Sequence, residues 1–222
     1  MEEHIVKILS AEYVTHDVRR FKVEKPAGYQ FVPGQATEVS IHQPRWKEER
    51  RPFTFTGLNE WDHLEFTIKI YNDHEGVTHQ LGTLEAGDEL LLHDVWGAIQ
   101  YKGEGVFIAG GAGVTPFIAI FRQLRKENKI NGNKLIFSNK TSADIILKEE
   151  FEKMLGKNFI NTITQEEVAG YDHHLIDEPY LKEKISDFSQ HFYICGPDPM
   201  VQSLQQILKK LGGDKAIVTV EM

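Results

Sequence analysis

The sequence predicts two domains, an N-terminal antiparallel β-barrel and a C-terminal α/β domain built on a parallel sheet. The first hundred residues read as short strands punctuated by Pro and Gly, whereas the rest alternates strands with helices. The rhythm changes at the polar, Gly-rich stretch 102–105, so we expect the domains to be 1–103 and 104–222. A chain of 222 residues is long enough for two such domains, each with its own core.

Strands of the expected barrel are short, and several alternate polar with apolar residues, as half-buried antiparallel strands do. They are predicted at 5–9, 18–23, 37–41, 53–56 and 64–70. One helix, 77–84, interrupts them, and turn residues such as Pro33-Gly34 and Gly87-Asp88 separate the strands. This pattern indicates an antiparallel barrel or sandwich.

The second half reads as alternating strand and helix from a first strand at 106–109. Further strands are predicted at 135–137, 159–163, 192–195 and 216–220. Helices are predicted at 116–128, 148–155, 179–185 and 199–211. This alternation indicates a parallel sheet covered on both faces, whose carboxyl-end loops lie along one edge.

Composition and charge exclude several classes of protein. Lys and Arg number 25 and Asp and Glu 33, so the net charge is −8, which disfavours binding to nucleic acid. No apolar run reaches the roughly 18 residues that cross a bilayer, and the polar, acidic N-terminus is unlike a signal peptide. We therefore expect a cytoplasmic protein with no membrane contact.

A single cysteine, Cys195, excludes an internal disulfide, a zinc ribbon and an iron–sulfur cluster held by this chain's own thiolates. Neither His173-His174 nor the pair His74 and His79 has a convincing set of co-ligands. We therefore expect no metal site.

A glycine loop, Gly110-Gly111-Ala112-Gly113, lies between a buried strand and a helix that begins near Thr115-Pro116. Small residues let a pyrophosphate approach the backbone at such a helix start, although a plain tight turn has the same pattern. A second loop, Cys195-Gly196-Pro197-Asp198-Pro199-Met200, follows a later strand and should lie at the same sheet edge. A lone cysteine there is otherwise an ordinary small core residue.

The predicted strand Arg51-Pro52-Phe53-Thr54 carries three different chemical groups. Arg51 has a permanently charged guanidinium group that suits a phosphate, Phe53 has an aromatic ring and Thr54 has a hydroxyl. The alternative is an ordinary edge strand, with Phe53 and Phe55 in the core and Arg51 as a surface charge. Phe53 and Thr54 are neighbours, so their side chains should leave opposite faces.

Four motifs in order, 51–54, 76–78, 110–116 and 195–200, resemble those of the ferredoxin–NADP reductase-like flavoprotein family. The resemblance covers essentially the whole chain. It implies a barrel that holds FAD, in preference to FMN, and a Rossmann-like domain that binds NADH or NADPH.

On the flavin side, the resemblance implies that Arg51 contacts the flavin phosphates, with Pro52 next to it. It places Phe53 against the flavin ring and the Thr54 hydroxyl near flavin N5. The remaining flavin neighbours it implies are Gly76, Val77 and Thr78 at the phosphates, and Lys69 and Tyr71 at the ring or phosphates.

On the nicotinamide side, the resemblance implies a pyrophosphate site and a nicotinamide site. The pyrophosphate residues are Gly110, Gly111, Gly113, Thr115 and Pro116. The nicotinamide residues are Cys195, Gly196, Pro197 and Met200. It also implies an acidic residue near the flavin, Glu221, so the expected catalytic residues are Thr54, Cys195 and Glu221.

The implied activity is that of an oxidoreductase, in which a hydride passes from the nicotinamide to flavin N5 and electrons then pass to a flavodoxin or ferredoxin. The alternatives are a free-flavin reductase and a non-catalytic subunit that binds flavin or nucleotide. We expect a monomer. The stretch 164–167 lacks the arginine that grips a 2′-phosphate and carries Glu166 and Glu167, so it favours NADH, although 138–140 could compensate.

One charged loop, 42–50, precedes the arginine strand and contains Trp46. This indole could stack on the FAD adenine or on a partner protein. We expect instead that the loop is a solvated hairpin tip.

Overall fold

The computed structural model describes residues 3–97, 99–213 and 217–220. The chain forms two compact units, one of Met1–Gln100 with Thr115–Gln123 and the other of Tyr101–Val114 with Leu124–Met222. A domain boundary at 103/104 stays a prediction. Among the described residues, no helix combines the length and apolar character needed to cross a bilayer.

The first unit is built on six antiparallel strands in the order β4-β3-β6-β1-β2-β5. They are β1 (His4–Tyr13), β2 (Val18–Glu24), β3 (Ala36–Ile41), β4 (Arg51–Thr54), β5 (His63–Lys69) and β6 (Glu89–Trp96). A short helix, α1 (Val77–Leu81), lies between β5 and β6. Apolar side chains from all of these strands except β4 form its fully buried core.

The sheet of the first unit closes into a barrel because its two edge strands meet. Just after β4, Phe55 forms an antiparallel bridge with Phe66 of β5. The Thr56 amide donates to the Glu65 carbonyl at 2.8 Å. Closure removes the exposed edges that an open sheet would present. The predicted antiparallel barrel is therefore confirmed.

Strand β6 is the one barrel element that the sequence analysis did not predict. Its three consecutive leucines, Leu90, Leu91 and Leu92, are all buried, so it lacks the alternation that marks a half-buried strand. The strand lies between β3 and β1, so both of its neighbours are other strands. The predicted helix 77–84 is shorter than expected and ends at Leu81, before Gly82.

The second unit contains a parallel sheet in the order β11-β10-β7-β8-β9. The strands are β7 (Gly105–Gly110), β8 (Lys134–Asn139), β9 (Phe159–Ile163), β10 (His191–Cys195) and β11 (Ile217–Val220). The helices of this half of the sequence are α2 (Thr115–Lys126), α3 (Lys148–Leu155), α4 (Glu178–Lys184) and α5 (Asp198–Lys210). The predicted parallel sheet is confirmed, and the strand order reverses between β7 and β10, where doubly wound sheets bind ligands.

Candidate functional site

The glycine loop and the Cys195 loop lie against each other at the carboxyl ends of β7 and β10. Cys195, the last residue of β10, pairs in register with Ala109 of β7. A Cβ atom on Gly113 would lie 2.3 Å from the Cys195 carbonyl oxygen, and one on Gly110 would lie 2.6 Å from the Met200 sulfur. The two loops therefore share one sheet edge, as the sequence analysis predicted.

Backbone conformation is the reason for a glycine at position 111, and not a lack of room for a side chain. Its φ is +51°, in the left-handed region that favours glycine, and no heavy atom lies within 4 Å of a Cβ built there. A 3-10 turn from Gly111 to Val114 then leads into α2, in which Thr115 is the first residue and Pro116 the second. Open space beside a glycine turn at the start of a helix fits a pyrophosphate.

Cys195 is held as a neutral thiol. Its side chain is 1% exposed, and burial raises the pKa of the thiol to about 12. The thiol form therefore predominates near neutral pH, so Cys195 offers a site its shape and a weak S–H contact. Next to it, a Cβ on Gly196 would lie 3.1 Å from the Gly110 nitrogen, and Pro197 is the N-cap of α5.

Residues predicted to hold the flavin phosphates surround one cavity in the first unit. The cavity has a volume of about 430 Å³ and brings Arg51 together with Gly76, Val77 and Thr78. The Arg51 side chain is half exposed, and its one carboxylate contact among the described residues is a long one, with Nη2 3.5 Å from a Glu49 oxygen. A phosphate group in the cavity could replace the Glu49 contact by accepting two charge-assisted hydrogen bonds from the Arg51 guanidinium group.

The wall of this cavity also contains Arg45 and Trp46, which were not among the predicted site residues. Trp46 is half buried and packs against the barrel core, and the Arg45 guanidinium lies 4.7 Å from its ring centroid. The expectation of a wholly solvated tip was therefore wrong for Trp46. A lone tryptophan in a charged loop was the signal that could have placed it in the site.

Thr54 has a buried hydroxyl without a partner. Its Oγ1 forms no hydrogen bond within the described part of the chain, although the atom is inaccessible to solvent. Buried hydroxyls normally find a partner, so this group fits a ligand atom such as flavin N5. Its neighbour Phe53 is half buried against the barrel core. The unpartnered Thr54 hydroxyl and the cavity beside Arg51 together fit a bound flavin nucleotide.

Other predicted flavin neighbours lie outside the cavity lining. Lys69 forms an ion pair with Asp17, in which the Nζ atom lies 2.8 Å from a carboxylate oxygen. Tyr71 is 44% exposed, and Pro52 is exposed on β4 opposite Glu38. Glu221 lies outside the described residues.

Glu166 lies near the end of β8 and accepts a hydrogen bond from the Ser142 amide. That bond lowers the pKa of the Glu166 carboxyl, so the group stays ionised near neutral pH. The residue follows the third strand of the parallel sheet, where the sequence analysis looked for a 2′-phosphate site. A fixed negative charge there disfavours a phosphate.

Comparisons with known proteins agree with this geometry. Residues 5–101 match the model of the oxidoreductase FAD-binding domain, and residues 107–206 match that of the oxidoreductase NAD-binding domain. The reductase component of propane 2-monooxygenase from Rhodococcus jostii is 26% identical over 94% of this chain and 60% of its own length. NADH-cytochrome b5 reductase 1 from Aspergillus oryzae is 27% identical over 91% of this chain and 77% of its own.

A solved structure shares the fold. The ferredoxin NADP⁺ reductase from Neisseria gonorrhoeae with bound FAD and NADP superposes with a TM-score of 0.82, at 21% identity, over 96% of this chain and 92% of its own. The chain spans about three fifths of the length of the propane monooxygenase reductase component. Taken together, the two matched domain models and the shared fold show that the chain belongs to the ferredoxin–NADP reductase-like family of flavoproteins.

Proposed function

We propose that the chain is an FAD-dependent NAD(P)H oxidoreductase that passes electrons from the nicotinamide, through the flavin, to a separate carrier. The observation that carries this proposal is that one half of the chain matches the FAD-binding model and the other half the NAD-binding model, and each half contains most of the corresponding proposed site residues. We further propose that the functional domains are 1–103 for FAD and 104–222 for NAD(P)H.

Arg51 and the backbone of 76–78 would bind the FAD phosphates from the walls of one cavity. Phe53 would pack against the ring, and the orphan hydroxyl of Thr54 would donate to flavin N5. Trp46, on the same cavity wall, would stack on the adenine, which favours FAD over FMN. When bound, FAD supplies the hydride acceptor and links two-electron to one-electron chemistry.

On the nucleotide side, Gly110, Gly111 and Gly113 would hold the pyrophosphate with Thr115 and Pro116 at the start of α2. The neutral Cys195 thiol would pack beside the nicotinamide, together with Gly196, Pro197 and Met200. Support for this comes from the close packing of the two loops at the reversal of strand order. We also propose that Lys69, Tyr71 and Glu221 lie near the flavin.

The preferred nucleotide is NADH. The ionised Glu166 carboxylate at the end of the parallel strands would repel the 2′-phosphate of NADPH, and the stretch 164–167 contains no arginine to offset it.

A flavodoxin or ferredoxin is the proposed acceptor. This chain has one cysteine, so these residues cannot provide the thiolates of an iron–sulfur cluster, and we propose that a separate carrier takes the electrons. Related proteins are described as reductase components of a propane monooxygenase and of a naphthalene dioxygenase system, which also pass electrons onward. We propose that the protein works as a monomer in the cytoplasm.

The experiment is to purify the protein and to record its visible spectrum, and then to follow NADH oxidation with ferricyanide, ferredoxin and free flavin as acceptors. Tightly held yellow FAD and NADH-dependent reduction of a carrier support the proposal. A colourless protein that turns over only with added flavin would point to a free-flavin reductase. The absence of NADH oxidation with every acceptor would point to a non-catalytic subunit.

A further inference from the structure

Arg122 forms a buried ion pair in the first unit, far along the sequence from its partner. Its side chain is 10% exposed and its Nη1 atom lies 2.6 Å from Oε1 of Glu65, which is 2% exposed. The same nitrogen donates to the Thr56 carbonyl at 2.7 Å. Because desolvation offsets much of the attraction within a buried ion pair, stability alone is a weak explanation for this one.

The pair lies where the strand that contains Thr54 changes its partner. Thr54 pairs with Ala36 of β3, and the Phe55 amide still donates to the Gln35 carbonyl at 3.1 Å. One residue later, the Thr56 amide donates to the Glu65 carbonyl of β5 at 2.8 Å. This change of partner is the seam that closes the barrel.

Thr56 is held at the seam by every polar atom it has. Its hydroxyl donates to Glu65 Oε1 at 2.9 Å and lies 3.2 Å from the Thr67 hydroxyl, while its carbonyl accepts from Arg122. Arg122 therefore bonds both to Thr56 and to the carboxylate that binds the Thr56 hydroxyl.

The side chain of Trp61 covers the seam. The ring of Trp61 lies 5.4 Å from the Arg122 guanidinium carbon. A Cβ atom on Gly57 would lie 2.9 Å from the same indole, so the glycine lets Trp61 close over the turn. Shielding from water strengthens the hydrogen bonds of the charged pair.

We propose that Arg122 is a positioning residue for flavin reduction, which holds the Thr54 hydroxyl in place by fixing Thr56, two residues further along the chain and just beyond the end of β4. The inference rests on the proposed function, because it assigns the Thr54 hydroxyl to the flavin. An extended strand advances only about 3.3 Å per residue and does not stretch, so a displacement at Thr56 is passed to Thr54. A misplacement of about 1 Å in a reacting site can cost roughly 100-fold in rate.

The test uses the holoprotein with Arg122→Met combined with Glu65→Gln, which removes both charges together and so leaves no unpaired buried carboxylate. Arg122→Lys keeps the charge, and Arg125→Met, an exposed change on the same helix, is the matched control. The readouts are the circular dichroism and midpoint potential of the bound flavin, its rate of reduction by NADH, and amide exchange at Phe55 and Thr56 without flavin.

For the double variant we expect flavin reduction slowed by up to about 10-fold, the most that loss of the Thr54 hydrogen bond would cost, with altered flavin dichroism and potential and an NADH KM within about twofold of the parent. Amide exchange at Thr56 should be faster, Arg122→Lys should recover most of the loss, and Arg125→Met should match the parent. If the double variant does not fold, Thr56→Val, which removes the hydroxyl contacts with Glu65 and Thr67, should change the same flavin signals in the same direction.

Unchanged flavin dichroism, potential and reduction rate in the folded variant would overturn the role of Arg122, as would unchanged exchange at Thr56. A parent protein that binds no FAD or is not reduced by NADH would instead refute the proposed function. The two failures are thus distinguished by measuring the parent first.

Discussion

The backbone at Gly113 passes so close to Cys195 that a Cβ atom on the glycine would lie 2.3 Å from the Cys195 carbonyl oxygen. Real Cβ atoms do not approach a carbonyl oxygen so closely, so a side chain here would force the two loops apart. Since these loops form the proposed nucleotide site, packing at one glycine controls the shape of that site.

Gly113→Ala should therefore raise the NADH KM and lower stability by about 1 to 3 kcal/mol, as expected when a close-packed position is overfilled. Gly170→Ala is the matched control, because its φ of +90° strains a side chain but nothing lies within 4 Å. The control should cost about 1 kcal/mol and leave the KM unchanged. Steady-state kinetics and thermal unfolding check both, and an unaltered KM for Gly113→Ala would contradict the proposed nucleotide site.

Thr54→Ala should slow flavin reduction by about 10-fold while FAD stays bound, because a hydrogen bond worth roughly 1.4 kcal/mol is lost. Thr54→Ser, which keeps the hydroxyl, should stay within about threefold of the parent under the same reasoning. Stopped-flow reduction by NADH measures both. Equal rates for the alanine variant and the parent would remove Thr54 from the mechanism.

Arg51→Met should weaken FAD binding by about 2 kcal/mol, or roughly 30-fold in Kd, because a charge-assisted contact with phosphate is lost. Arg51→Lys should lose less, since it keeps the charge without the fork. Arg20→Met removes an exposed ion pair with Glu12 on β1 and is the control. Titration of the flavin-free protein with FAD measures the Kd, and equal affinities for Arg51→Met and Arg20→Met would exclude Arg51 from the phosphate site.

Glu166→Gln should raise kcat/KM for NADPH by about fivefold and change that for NADH little, because removing a surface charge has a modest effect. Glu167→Gln, at the exposed neighbouring position, should have a smaller effect. Comparing the two nucleotides in each variant checks this. A parent protein that strongly prefers NADPH would show that Glu166 does not exclude the 2′-phosphate.

His93 should make the protein less stable in mild acid. Its side chain is 2% exposed, and neither ring nitrogen has a hydrogen-bond partner among the described residues. Burial, helped by Arg50, lowers the pKa of this histidine below its usual value. Below about pH 6.5 the unfolded chain therefore binds a proton that the native chain does not, and stability falls as the pH falls.

His93→Gln should remove about 1 kcal/mol of the stability lost between pH 7 and pH 5.5. Urea unfolding of the parent and the variant at both pH values measures this difference. An identical loss in the two proteins would show that His93 does not titrate on unfolding.

Much of the fold was predictable because its local signals agree with its tertiary packing. In the second unit, each strand alternates with a helix, and the predicted helix 148–155 matches α3 residue for residue. Strand β6 was missed because its three consecutive leucines, Leu90, Leu91 and Leu92, are all buried, which erases the period of two. The helix at Val77 was predicted too long because Gly82 ends it before the apolar pattern does.

Site residues could be proposed from the sequence where neighbouring residues carry the chemistry, and their functional roles stay predictions. The glycine loop and the Cys195 loop were both found, and their meeting followed from the rule for parallel strands. Trp46 was named only as an alternative stacking residue, and Arg122 was not singled out, because its contact with Thr56 joins residues that are far apart in the sequence. Only packing reveals that the Thr54 hydroxyl is buried with no hydrogen-bond partner among the residues that the structure describes.

Anaerobic titration of the purified, FAD-loaded protein with NADH tests the central claim most directly. We predict that one equivalent of NADH bleaches one flavin per chain, and that the reduced protein then gives its electrons to ferredoxin or flavodoxin. A flavin that stays oxidised in the presence of excess NADH, or a protein that does not retain FAD, would contradict the claim.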